Sequence, residues 1–289
     1  MTSCRNSDGL PDLPGLPDLS GLPDLPGLPG PDGRHPGFAP YRRLREELLN
    51  LPAGDWVARC DAVAAARGLR SATGTPIRFV IGPDPTGALA YEAAILHDGR
   101  VTCRPAGRGA LHDLHNALVW LTFPQTKATL NRLHFSHRDS PSEGRGRLRD
   151  MLTLLDENGL LWLSDAPELD AQLLAKDWTG LLVQNRELVC DRVVPIVLGH
   201  GLLEKLASPY KSMTAHCLIC SGRWGADVVH APEAIDGDVA ARLAAWSSEV
   251  PQRLAPLPIL GLPGWDPSND DRSYYADARV FRSPRLRRA

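Results

Sequence analysis

Arg192–Leu206 reads Arg-Val-Val-Pro-Ile-Val-Leu-Gly-His-Gly-Leu-Leu-Glu-Lys-Leu, and its character changes in the middle. After Arg192 the next six residues are apolar and largely β-branched, which predicts a strand over Arg192–Leu198. Pro195 cannot donate to a ladder, so that strand belongs at an edge or a bulge. His200–Leu206 then carries apolar residues at helical spacing. Strand and helix meet at Gly199-His200-Gly201, and such junctions are where α/β proteins tend to place their sites. His200 and Glu204 are one turn apart on one face. They can share a metal, or Glu204 can orient His200 for acid–base work; the plain alternative is a surface ion pair.

The same alternation runs outward in both directions. Upstream, Tyr41, Leu44 and Leu48 mark a helix, and Asp55 caps a second that stops at Gly68. Pro76–Val80 and Tyr91–Leu96 read as strands, and Asp98-Gly99 predicts a hairpin into Arg100–Arg104. Helices follow at Leu111–Leu121, from Pro124 to about Leu133, and at Leu148–Asp156, stopped by Asn158-Gly159. Leu160–Leu163 is a short strand. Downstream, Thr214–Ile219 is a strand, and Ile235, Val239, Leu243 and Trp246 form a helical stripe. From about residue 251 Pro and Gly dominate, which predicts an extended wrap over the domain surface. No strict βαβ rhythm appears, so the expectation is a single α+β domain over residues 39–289, with a mixed sheet and several packed helices.

Residues 9–30 repeat with a period of six, on the pattern Gly-Leu-Pro-Asp-Leu-Pro. Asp12, Asp18 and Asp24 stand where collagen needs Gly, which excludes a triple helix. Residues 1–38 are therefore expected to be a disordered, polyproline-leaning tail, with a Pro-recognising partner as its functional reading.

Composition narrows the function classes. The 289 residues carry a formal net charge of −2, so no global field steers the chain to nucleic acid or anionic lipid. No apolar run reaches the ~18 residues of a membrane span. The first residues lack the apolar core of a signal peptide, and the 6 Cys are sparse, so free thiols and a cytoplasmic location are expected. The expected partner is a small molecule or another protein.

No established catalytic signature is present. What remains is polar residues that need a reason. His112, His115 and Asn116 share a helical face beside Asp113, as metal or substrate binding requires; capping is the alternative. Lys127, Asn131 and His134 form a stripe on the next helix, either a pocket edge or a solvated face. Asp156 and Glu157 sit at a helix C-terminus, where carboxylates oppose the macrodipole, so a cation or a proton is a candidate reason for them. His216-Cys217-Leu-Ile-Cys220 is too small a donor set for zinc, and buried structural cysteines are the default.

Several segments together resemble a proteobacterial family of unknown function, the domain-of-unknown-function family numbered 3025. They are Pro76-Ile-Arg-Phe-Val, Tyr91-Glu-Ala, the run from His112 to Asn131, Arg149–Gly159, Gly199–Lys205 and Leu260-Gly-Leu-Pro-Gly-Trp265. The resemblance runs from about residue 40 to the end. It implies no activity or cofactor, but it sorts the residues. His112, Asp113, Asn116, Lys127, Asn131, Asp156, Glu157, His200, Glu204 and His216 fall on its pattern. His115 departs from it, since an aromatic residue is more usual there.

Two readings follow. One is a hydrolase-type enzyme with His200, Glu204, His112, Asp113, Asp156 and Glu157 as catalytic groups. Asn116, Lys127, Asn131 and His216 would bind substrate, and a divalent metal would activate water. The other is a non-catalytic interaction domain whose polar clusters are structural. Convergence of His112, Asp156, His200 and His216 on one pocket separates the two.

Overall fold

The computed structural model describes residues 35–51, 55–83, 87–107, 109–137, 143–246 and 253–282. The Pro/Gly repeat lies outside them. The fold is α+β: a two-stranded parallel sheet and a four-stranded mixed sheet, packed among helices in a single domain.

The N-terminal layer is helical. A 3-10 turn (Pro36–Tyr41) leads into α1 (Arg42–Asn50) and α2 (Trp56–Arg67). Asp55 caps α2 by accepting from the Ala58 amide, and Gly68 ends it at φ 63°, a left-handed conformation that glycine adopts without strain. The chain then forms β1 (Arg78–Ile81), α3 (Ala88–Asp98) and β2 (Arg100–Cys103). This unit corrects the expected hairpin. Tyr91–Leu96 is helix, not strand, and β1 and β2 pair in parallel across the α3 crossover. The Asp98-Gly99 turn signal marks a helix stop, with Gly99 at φ 68° closing α3. The Ala-rich run around Tyr91 has the stronger helix propensity, and that won over the short aromatic–aliphatic pattern.

Next come α4 (Ala110–Thr122) and α5 (Pro124–Ser136). Every α4 residue from Asp113 to Thr122 is buried. A helix apolar all round needs neighbours on every side, so α4 forms the axis of the molecule. α6 (Glu143–Asn158) runs straight into β3 (Gly159–Ser164), all six of whose residues are buried. Later elements are α7 (Pro167–Ala175), α8 (Arg186–Arg192), β4 (Val193–Val197), α9 (His200–Leu206), β5 (Thr214–Ser221), α10 (Asp236–Ala244) and β6 (Ala255–Pro258).

The large sheet has the order β4-β3-β5-β6, with β3 and β5 parallel and both outer pairs antiparallel. β4, which carries Pro195, sits at an edge as its sequence demands. β6 occupies the other edge, so the region after residue 251 contributes a strand, and Ile259, Leu260 and Leu262 beyond it are buried. Cys60, Cys217 and Cys220 are free and buried, Cys103 is buried, and Cys190 is disulfide-bonded, against the expectation of free thiols throughout. Among the described residues no helix is long and apolar enough to cross a membrane.

Candidate metal centre

The C-terminus of α6, the first turn of α4 and the start of α9 meet at one wall of a cavity of about 700 Å³. His112 Nε2 and His200 Nε2 are 3.0 Å apart. Glu157 Oε1 lies 3.4 Å from His200 Nε2 and 3.9 Å from His112 Nε2. Three electron-pair donors this close repel one another unless a proton or a cation lies among them. Tetrahedral zinc with arms of about 2.0–2.1 Å has ligand–ligand edges of about 3.3–3.4 Å. The three separations bracket that value, so His112, His200 and Glu157 can hold a divalent ion.

The far side of each imidazole is also occupied. His112 Nδ1 is 3.0 Å from Glu204 Oε2. A carboxylate only accepts, so Nδ1 carries the proton and Nε2 presents its lone pair to the cavity. His200 is 5% exposed, and its Nδ1 faces Asp156 Oδ1 at 3.8 Å with no closer partner. The sequence reading paired Glu204 with His200, one turn away. In the structure Glu204 reaches across to α4 instead.

The glycines beside His200 have a structural cause. A Cβ on Gly201 would stand 2.5 Å from Glu157 Oε2, and one on Gly199 would stand 2.6 Å from both the Asn158 amide and the Glu157 carbonyl. The bare backbone lets α9 approach the end of α6, which brings Glu157 beside His200. What approaches closely is the protein itself, not a ligand.

Asp156 and Glu157 occupy an unfavourable helix terminus and are held there by cations and imidazoles. Lys127 Nζ donates to Asp156 Oδ1 at 2.5 Å and sits over the Trp120 ring. Burial alone would raise the Asp156 carboxyl; Lys127, His200 and His134 overcome it and hold the group below the usual carboxylate range. Glu157 is likewise held low against burial, by the hydrogen bond and charge of His200 and the charge of His112.

The rest of the cavity lining comes mainly from α3, α4 and α5. Asp113 is turned away from the histidines and accepts three hydrogen bonds from Arg104, from its backbone amide at 2.8 Å, Nε at 2.7 Å and Nη2 at 2.6 Å. It fixes Arg104 at the cavity edge. Asn116 Nδ2 donates to the Tyr91 hydroxyl at 3.1 Å. Asn131 Nδ2 donates to the Glu92 carbonyl at 3.0 Å and also to its carboxylate. Burial pushes the Glu92 carboxyl up to about 7, with Asp156 adding to burial while Asn131 and Lys127 oppose it.

The model of the family described as a protein of unknown function, DUF3025, matches residues 77–285. The chain belongs to the DUF3025 family. No curated protein and no solved structure matches it.

Within this DUF3025 chain the cavity gathers most residues singled out from the sequence. His112, Asp113, Asn116, Lys127, Asn131, Asp156, Glu157 and His200 line it, and Glu204 stands behind His112. His216 is not among the lining residues; it lies on β5 opposite Gly159. Three of the four residues chosen as the discriminator therefore converge. His115, one turn from His112, is fully buried, and its pKa is lowered to about 3 by burial and then by His200 and His112. Sequence reasoning missed Tyr91, Glu92 and Arg104. The first two were hidden by assigning α3 as a strand. The helix-forming run Ala88–Asp98 closed by Gly99 was the signal that could have found them.

Proposed function

We propose that this protein is a metal-dependent hydrolase whose divalent ion is held by His112, His200 and Glu157. The observation that carries this reading is the convergence of two Nε2 atoms and one carboxylate oxygen within 3.0–3.9 Å, with a carboxylate on the far side of each ring. Three protein donors leave a coordination position facing the cavity, as catalytic zinc sites do. An ion there supplies a Lewis acid and lowers the pKa of a bound water. Glu204 keeps His112 in the ligating tautomer. Asp156, held ionised by Lys127, stands ready to accept the Nδ1 proton of His200 as a hydrogen bond. Arg104, fixed by Asp113, presents a guanidinium to a developing negative charge.

The test is reconstitution. Chelator-stripped protein is reloaded separately with zinc, manganese, cobalt and magnesium, then assayed on a panel of esters, phosphoesters and amides. Hydrolysis of at least one class should require the metal and disappear in Glu157→Gln. Loaded protein that hydrolyses none of the panel would leave the binding-domain reading standing.

A further inference from the structure

The cavity lining contributed by α3, α4 and α5 carries buried acceptors. Asn131 is 4% exposed, and its amide orientation is fixed because the Glu92 carbonyl can only accept. Its Oδ1 is therefore turned away from Glu92, and it is buried with no hydrogen-bond partner. Asn116 is 8% exposed; its Nδ2 meets the Tyr91 hydroxyl and its Oδ1 is buried without a partner, and because a hydroxyl both donates and accepts, this amide can turn either end to a ligand. A buried acceptor left empty is costly, so Asn131 Oδ1 indicates a ligand that donates. The third polar group there is the Glu92 carboxylate, which accepts from Asn131 Nδ2.

We propose that Asn116 Oδ1, Asn131 Oδ1 and the Glu92 carboxylate bind a primary ammonium group of the substrate. This inference rests on the metal reading above. An ammonium offers three donors and no acceptor, which matches three acceptor groups from three helices. Asn116 follows His112 by four residues on α4, so their backbones are about 6 Å apart along the helix axis and both line the same cavity. The substrate would thus carry its scissile group and its amine a few bonds apart. Two nearby cations are already engaged, Lys127 with Asp156 and Arg104 with Asp113, while Arg149 lines the cavity from an exposed position on α6. Glu92 is disfavoured as an anion in the empty cavity by burial and by Asp156, so an arriving ammonium should draw a proton off it near neutral pH.

The probes are two hydroxamates, which bind metal at one end. Zinc-loaded protein is titrated calorimetrically with 4-aminobutanohydroxamic acid and with pentanohydroxamic acid, in which a methyl replaces the ammonium. The amine should bind about tenfold or more tightly. Glu92→Gln and Asn131→Leu should erase that advantage while leaving the affinity for pentanohydroxamate unchanged. Equal binding of both probes by the parent overturns the amine site and leaves the metal site intact. If neither hydroxamate binds, the metal reading fails, and a metal-free measurement decides the amine site alone. In that measurement the Glu92 carboxyl is followed by carbon NMR as pH is varied, in methylammonium chloride and in sodium chloride at equal ionic strength. Methylammonium should lower its midpoint; an unmoved midpoint overturns the proposal.

Discussion

His115 and Glu92 show how much a single buried group can cost. Both ring nitrogens of His115 are buried and unpartnered, and the ring packs against Phe38 with centroids 6.1 Å apart. Leaving such groups unsatisfied costs about 1–3 kcal/mol. His115→Phe keeps the ring contact and removes the orphaned nitrogens, so chemical denaturation should show a gain of about 1–2 kcal/mol with metal binding unchanged; a destabilised variant would mean that the nitrogens have partners. Glu92 carries a pH signature. Its folded pKa of about 7 lies above the ordinary 4.5, so between those values the folded state holds a proton that the unfolded chain has lost. Stability then falls as pH rises from about 4.5 to 7, by an amount on the order of 3 kcal/mol. Glu92→Gln cannot ionise. Its melting temperature should exceed the parent's at pH 8 and match it near pH 4, and parallel pH profiles would refute the raised pKa. Asp156 has the opposite sign: its folded pKa is depressed, so its contribution is present above about 4 and is lost as pH falls further.

At the scale of elements the decisive contact is α9 against the end of α6. Gly201→Ala sets a methyl 2.5 Å from the Glu157 carboxylate, a side chain that can swing aside, and 3.0 Å from the Glu157 carbonyl, whereas all three closest atoms to a methyl at Gly199→Ala are backbone, within 2.6 Å. The first variant should stay folded and lose zinc affinity by an order of magnitude or more, as displaced ligands and their supports do. The second should lose several degrees of melting temperature, and its calorimetric trace shows this directly. Equal melting temperatures for the two would contradict the packing described. These elements were largely legible in the sequence. Pro195 placed β4 at an edge, the glycine pair bounded α9, and Asp156-Glu157 stood out because carboxylates are unfavourable at a helix end. Two things were missed. The α3 crossover was obscured because a short apolar run with one aromatic passes for a strand unless Gly99 is read as a helix stop. The partner of Glu204 was hidden because intrahelical spacing suggested His200, while the structure brings in His112 from 92 residues away.

At the scale of the whole molecule, chain segments far apart in sequence close one cavity beside a helix buried from Asp113 to Thr122. α4 supplies His112 and Asn116, α5 supplies Lys127 and Asn131, α6 supplies Asp156 and Glu157, α9 supplies His200, and α3 adds Glu92. A pocket assembled this way depends on tertiary packing, so sequence could nominate its members but not their distances. Its residues oppose one another in charge and are mostly paired, which suits an ion at one end of an otherwise balanced site. The most direct test of this account is zinc binding by isothermal titration calorimetry, with stoichiometry checked by elemental analysis. The parent should bind one equivalent. His112→Ala, His200→Ala and Glu157→Gln should each weaken binding at least 100-fold while keeping the parent's circular dichroism, and His216→Ala should bind as the parent does. A folded parent that binds no zinc, manganese or cobalt, or a loss confined to His216→Ala, would contradict it.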